Sequence, residues 1–495
     1  MKYDIIIIGG GLGGLQTAYI LAKKGQKVCV LEKNPVVGGC LQSFRRGHTE
    51  FDTGFHYVGG LDEGQPLNAI FQYFNLMNLP WHRLDSNAFD EVRIGGKSYF
   101  FANGYQHFVD VLAEQFPHQR ENLKTYIAML QRVGDGLKDS FKPRSDAEVY
   151  STSLFTRSAY EFLCETISDP LLRNVLSGTS LKMELCKETL PLYIFAQINS
   201  SFIQSAWRLN GSGQLIADEL VNGIKTMGGE VRTKAEVTEL IEDDGKLKSV
   251  QINGDEQLAA DWFISDIHPT VTVNLLKNSQ MVRKIYRRRM DNLQNTFGMF
   301  TLNIALKPDA VPYQNRNQYI YKTDDVWGLS GYTDGSVKGV LVSYRALENG
   351  SRFASNIDIL TPMYWSEVEQ WKNTEVGKRG IDYQQLKKQK ADACIQLASE
   401  LIPDLQSSVD KQFSSSPLTY LNYTATPQGA AYGIRKDYNS PMQTLLTPRT
   451  PIPNLLLTGQ NLNLHGILGV SMSSFFTCAE ILGMESATDG LKFDN

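Results

Sequence analysis

The stretch from Tyr3 to Gly14 reads YDIIIIGGGLGG, and it decides the fold. Four consecutive isoleucines, Ile5 to Ile8, have the unbroken apolar character of a strand buried on both faces of a parallel sheet. A glycine turn follows, then a helix through Lys24, then a second strand, Lys27 to Leu31, that closes on Glu32-Lys33. Together they form one strand-helix-strand unit. Within it Gly9, Gly11 and Gly14 fit G-x-G-x-x-G: one glycine makes the tight turn, one lets a pyrophosphate approach the backbone, and one lets the helix pack closely on the strand. The helix N-terminus adds free N–H groups and a positive dipole end. Glu32, 18 residues beyond Gly14, stands where a carboxylate accepts hydrogen bonds from a ribose 2′-hydroxyl and would repel a 2′-phosphate. The expected nucleotide contacts are Gly9, Gly11, Leu12, Gly13, Gly14, Glu32 and Lys33.

A second glycine turn separates two classes of dinucleotide site. Gly38-Gly39-Cys40-Leu41-Gln42-Ser43, a GGxxxS turn, begins six residues after Glu32 and offers another set of backbone N–H groups to the phosphates. An NAD dehydrogenase needs no such turn. The pairing of GxGxxG, terminal Glu32 and GGxxxS resembles the large flavoprotein family that includes amine oxidases, phytoene desaturases and the GDP-dissociation inhibitors of prenylated GTPases. The resemblance implies FAD bound by a discontinuous, Rossmann-like domain of the GR2 type, with Gly38, Gly39, Cys40 and Ser43 near the phosphates.

Later segments complete that domain. Ala206 to Asn210 is too short and polar for the buried strand of a second nucleotide site, so Gly211 and Gly213 read as the turn into a helix that ends at Gly228-Gly229, before a strand Glu230 to Thr233. The lack of a second site argues against a reductase that holds NADPH and FAD together. Short strands follow, Ala235 to Ile241, Lys248 to Ile252 and Trp262 to Ser265, separated by carboxylate-rich hairpin turns. In the resembled family this meander crosses the adenine end of FAD, and Val237 is the matching position. Pro453 to Gly469, PNLLLTGQNLNLHGILG, predicts a strand Leu455 to Leu457, a turn at Gly459 and a helix from near Gly466. A helix N-terminus aimed at the flavin stabilises its anionic reduced form, which selects Gly466, Gly469 and Val470. Gly459, Gln460 and Asn461 are expected at the pyrophosphate or ribityl chain, although many relatives carry Asp or Glu where this chain has Gln460.

The segment Phe51 to Gly59, FDTGFHYVG, taken with LTGQN and GILG, closely resembles the retinol saturase and carotenoid isomerase branch of the phytoene desaturase family. The likeness spans residues 1–65, 205–310 and 450–485. It implies an α/β fold in which residues 1–70, 205–270 and 420–495 form the FAD-binding domain, and an α+β substrate domain with a helical cap, residues 71–204 and 271–419, is interleaved. It further implies an FAD-dependent oxidoreductase acting on C=C bonds of a long apolar polyene or isoprenoid lipid, by saturation, desaturation or isomerisation, with an unknown electron donor or acceptor. An amine oxidase-like flavoenzyme and a non-enzymatic prenyl-lipid escort on the same fold are the alternatives. Flavin chemistry at C=C needs little beyond placement, exclusion of water and one proton. His56 and Tyr57, whose motif should run beside the flavin, and His465 are the candidates for that proton; a structural hydrogen-bonding role is the alternative for each. Ten aromatics in the 38 residues from Phe71 to Phe108 suit either a polyene slot or ordinary core packing. Helices from Gly104 to Phe116 and Gln119 to Phe141 suit a cap, and a half-buried strand around Phe300 to Leu306 should join Gln318 to Tyr321 and Val340 to Tyr344 in a sheet.

Composition narrows the function classes. The 495 residues carry 49 Lys plus Arg against 53 Asp plus Glu, a net charge of −4, too balanced for a nucleic-acid binder. Six dispersed cysteines without a CxxC pair suit a reducing cytoplasmic setting, and seven histidines without HxxxH or HExxH spacing support no metal. The uncharged run Ile5 to Ala22 contains five glycines and the run Thr450 to Ala479 is polar, so neither reads as a membrane span. Met281 to Leu293 is amphipathic, with Arg283, Lys284, Arg287, Arg288 and Arg289 together; it reads either as a solvated helix or as a peripheral membrane contact.

Overall fold

The computed structural model describes residues 2–141, 153–331, 334–345 and 351–493. Lys2–Ile8 (β1) is central to the first sheet, parallel to Val28–Leu31 (β2) on one side and to Glu256–Ser265 on the other. Glu230–Arg232 extends the sheet beyond β2; Lys246–Ile252 and Val237–Asp243 extend it antiparallel on the far side, and Leu455–Leu457 pairs parallel with Phe263 to Ser265. Ile5, Ile6 and Ile7 are completely buried, as a strand covered on both faces requires. The helix Leu12–Lys23 (α1) returns the chain from β1 to β2. It packs on the C-terminal helix Gly466–Leu482, where Gln16 Nε2 donates to Ser471 Oγ at 2.9 Å. Three distant stretches thus build one Rossmann-like layer, because each parallel strand needs a crossover before its neighbour can be laid down.

The second layer is a seven-stranded sheet in the order Val409–Ser415, Gly298–Leu306, Asn356–Met363, Gly339–Tyr344, Asn317–Tyr321, Asp90–Ile94, Lys97–Phe101. All its pairings are antiparallel except that of Asn317–Tyr321 with Asp90–Ile94. Helix Ile381–Ala398 covers one face through Ala391, Cys394 and Ile395. Helices Tyr105–Gln115, Arg120–Asp135 and Leu192–Gln204 form the cap.

One expectation requires correction. Gly298–Leu306 is buried at all nine positions rather than on one face. Its polar residues find partners on the inner face: Thr301 Oγ1 meets the Tyr420 hydroxyl at 3.3 Å, and Asn303 Nδ2 donates to Asp358 Oδ1 at 2.6 Å. Ala206–Leu209, expected not to be the strand of a second nucleotide site, is a short strand between Val58–Gly59 and Trp81–Arg83, antiparallel to both, with Arg208 only 1% exposed. Of the two readings of the aromatics of Phe71 to Phe108, core packing holds: Phe71, Phe74, Phe89 and Phe108 are core side chains, in ring contacts such as Phe101 with Phe108 at 5.0 Å.

Candidate functional site

A cavity of about 470 Å³ runs from the glycine turn after β1 to the inner face of the second sheet. At the first end its wall is Gly9, Gly11, Leu12, Gly13, Glu32, Lys33, Gly38, Gly39, Cys40 and Val237. Backbone geometry explains why they meet. Gly38, with φ +120°, donates its N–H to Gly10 O at 2.7 Å and draws the second glycine turn onto the first. Glu32 at the end of β2 accepts from Gly10 N at 2.9 Å and Asn34 N at 2.8 Å, which fixes its carboxylate at the cavity edge. Four predicted residues lie behind the wall. Gly14 packs under Gly9 O and Gly469 against the Leu464 carbonyl, Gly459 backs onto Asp266, and the Ser43 hydroxyl turns away to donate to Glu50 Oε1 at 2.6 Å.

The middle of the cavity holds Gln460, Asn461 and Asp266, the residue after Glu256–Ser265. A Cβ on Gly11 would come within 2.7 Å of Asp266 Oδ2, so a side chain there would displace this carboxyl from beneath the turn. Burial, with a smaller contribution from the Glu32 charge, pushes Asp266 up to about 7, against N–H donation from Gly14 that favours the anion.

At the far end the wall is His56, Tyr57, His465, Gly466 and Val470, completed by apolar side chains from the cap and second sheet: Phe202, Met299, Leu341, Leu360 and Tyr432. All three proton candidates reach this end, each held in a defined state. The Tyr57 hydroxyl donates to Asp90 Oδ2 at 3.0 Å and shares a 2.6 Å hydrogen bond with Tyr319; burial first, then the Asp90 charge, raises it well above its ordinary range. His56 Nδ1 lies 3.7 Å from Asp358 Oδ2, while its Nε2 has no hydrogen-bond partner among the described residues. Burial and then the Arg208 charge lower His56 to about 4. His465 caps the C-terminal helix and donates from Nε2 to Lys182 O at 3.1 Å; burial holds it at about 4. Both imidazoles are neutral at pH 7.

Comparison with known proteins agrees with this architecture. Residues 7–74 match the family model described as an NAD(P)-binding Rossmann-like domain. The all-trans-retinol 13,14-reductase of Danio rerio is 28% identical across 97% of this chain and 86% of its own length. The chloroplastic prolycopene isomerase of Daucus carota is 25% identical across 87% of this chain and 72% of its own. Over nearly its whole length the chain is thus similar to these reductases, and over most of it to these isomerases. Among solved structures, an oxidoreductase from Methanosarcina mazei superposes with a TM-score of 0.64 at 17% identity, covering 96% of this chain and 99% of that one.

The far end of the cavity also carries a charged side chain that no motif marked, Lys182. Lys182 ends a short helical turn, Ser180–Lys182, and places its ammonium 3.2 Å from Thr179 Oγ1, 3.5 Å from the Tyr57 hydroxyl and 3.9 Å from Asp90 Oδ2. Phe202 offers it a ring face at 4.1 Å. Burial lowers Lys182 to about 8, against the Asp90 charge, which raises it; burial raises Asp90, against the Lys182 charge.

Proposed function

We propose that this chain is an FAD-dependent oxidoreductase that saturates a C=C bond of a long apolar polyene or isoprenoid lipid. The observation that carries the reading is the continuity of one cavity, from two apposed glycine turns and a ribose-facing carboxylate to an apolar slot. FAD suits the first end: Glu32 is fixed there by backbone N–H groups, and Gly9, Gly11 and Gly13 present backbone without side chains to the cavity. Gly9, Gly11, Leu12, Gly13, Gly38, Gly39 and Cys40 would hold its phosphates, and Val237 would border its adenine. Gln460 and Asn461 would take the ribityl side, with Gly466 and Val470 at the helix terminus. Bound there, FAD supplies two-electron chemistry at C=C bonds. The residues of the far end exclude water: Phe202, Met299, Leu341, Leu360 and Tyr432 desolvate a hydrocarbon chain and position it. Likeness to retinol reductases over 97% of the chain supports saturation over isomerisation, for which the likeness covers 87%.

The test is to reduce the holoprotein without oxygen, add all-trans retinoids, carotenoids and isoprenoid lipids in turn, and follow flavin reoxidation with product mass. Gain of two hydrogens with reoxidation is expected. Unchanged mass with altered retention and a still-reduced flavin would replace saturation by isomerisation. Among the described residues no helix is long and apolar enough to cross a membrane. Lipid access is proposed to come from surface contact at Lys284–Asp291, where Ile285 is 77% exposed and Arg289 holds the carbonyl of Met442, itself 86% exposed, among Arg283, Lys284 and Arg288. Flotation on anionic vesicles that persists in an Ile285→Asp, Met442→Asp variant would exclude this contact.

The Asp266 carboxyl sets a pH dependence for cofactor binding. Its anion stands under the turn that receives the pyrophosphate, so FAD binds the protonated carboxyl better. Affinity is therefore full below pH 7 and falls as pH rises through about 7. Titration of apoprotein with FAD at pH 6 and 8.5 should give a dissociation constant roughly tenfold weaker at the higher pH, about 1.4 kcal/mol. Asp266→Asn should remove the difference; an unchanged pH response in that variant would refute the assignment.

A further inference from the structure

We infer that the Lys182 ammonium is the proton donor of the saturation proposed above, with Asp90 as its counter-ion and Tyr57 positioning the pair. The inference rests on that functional reading and goes beyond it by choosing among the groups that line the slot. A donor must face the cavity, carry a proton at neutral pH and be able to part with it. His56 and His465 face the cavity without a second proton to give, and the Nε2 proton of His465 is committed to Lys182 O. The Tyr57 hydroxyl is committed to Asp90 and is far too weak an acid. Lys182 meets all three conditions.

Asp90, completely buried, faces the ammonium from Asp90–Ile94, and Thr179 and Tyr57 approach from their own segments. Tyr319 reaches Tyr57 from the neighbouring strand, Phe202 covers the ammonium from the cap, and the backbone of Lys182 is tied to the His465 imidazole. Asp90 is itself held by Asn317 Nδ2 at 2.9 Å, whose oxygen accepts from Arg208. The chain of contacts makes a short-lived neutral lysine tolerable, because the Asp90 anion keeps Asn317, Tyr57 and, through Asn317, the Arg208 cation as partners. Geometry thus supplies a cation at the slot wall, a partner that restores it, and hydroxyls that fix its direction. Burial moves the ammonium towards the pH at which it can both hold and release a proton.

An Nζ–H bond of Lys182 breaks and a C–H bond forms at one carbon of the double bond, while the neighbouring carbon receives two electrons and one hydrogen from the reduced flavin. The lysine is left as a neutral amine beside Asp90 and regains its proton from water.

The test uses the holoprotein and three variants. Wild type should lose turnover tenfold per pH unit above about 8, and its visible flavin spectrum should titrate with the same midpoint in the absence of substrate. Lys182→Met should slow the product-forming step at least about 100-fold at unchanged FAD content and lose the spectral titration. Lys182→Arg should move both midpoints beyond pH 10, since guanidinium keeps its proton. Should Lys182→Met fold poorly with Asp90 left uncompensated, the double variant Lys182→Met, Asp90→Asn removes both charges and should show the same two losses. Turnover of either variant within threefold of wild type, or a spectral midpoint that survives the loss of the lysine, overturns the donor assignment alone. A wild type that carries FAD and converts no polyene overturns the functional reading, and the donor role falls with it.

Discussion

Gly14→Val should yield a protein that holds no flavin and has lost at least about 3 kcal/mol of stability. Helix propensity alone argues the other way, because replacing an interior helical glycine by a residue with a side chain usually recovers up to ~1 kcal/mol. The local geometry decides against it. Gly14 is in α1 and faces β1 so closely that a Cβ would be driven into Gly9 O, a backbone atom of the cofactor turn, with Asp266 Cβ 3.3 Å away on the other side. Neither obstacle is the far end of a flexible side chain, so the helix must withdraw from the strand. Withdrawal removes the N–H groups of residues 11 to 14 from the cavity end that Glu32 closes. Gly14→Ala should fall between, with FAD retained only at high concentration. Flavin absorbance per protein and a denaturant midpoint measure both effects; a Gly14→Val protein that purifies yellow at wild-type stoichiometry would show that the close packing is dispensable.

The same tightness explains why this end of the molecule was legible in the sequence. Where a strand must be buried on both faces and a turn must admit a phosphate, the permitted residues are few, and Ile5 to Gly14, Glu32 and Gly38-Gly39 spell them out locally. The C-terminal strand and helix were legible for the same reason. Local patterning failed where a partner came from far away. Gly298–Leu306 looked half-buried because Thr301 and Asn303 are polar; their partners, Tyr420 and Asp358, are 119 and 55 residues distant. Lys182 and Asp90 are separated by 92 positions with no motif between them, so nothing in either neighbourhood signals that they meet at one wall of the cavity. The composition of Phe71 to Phe108 left both a slot and core packing open; its side chains face the cores, and the slot takes its rings from Tyr57, Phe202 and Tyr432.

Arg208→Met should cost about 3 kcal/mol and shift the protonation of the cavity wall at the same time. Arg208 is in the short strand Ala206–Leu209, and its guanidinium reaches across to the second layer. It donates to the Tyr344 carbonyl and, at 2.9 Å, to Asn317 Oδ1, from a position that is 1% exposed. Methionine fills much of the same volume, so the loss comes from polar groups left behind rather than from a void. Asn317 Oδ1 keeps the Ser343 hydroxyl at 3.2 Å, whereas the Tyr344 carbonyl loses its arginine donor in a buried setting. The charge also acts at a distance: it lowers His56 and helps to hold Asp90 down. Without it Asp90 should take up a proton more readily, weakening the anion that supports the Lys182 ammonium, and the pH dependence of turnover should move to lower pH. Arg208→Lys should recover the electrostatic part and only a fraction of the stability, since an ammonium cannot span both acceptors as the planar fork does. If Arg208→Met instead unfolds at the wild-type denaturant concentration, the buried arginine is neutral in the fold, and its contribution lies in the cavity alone.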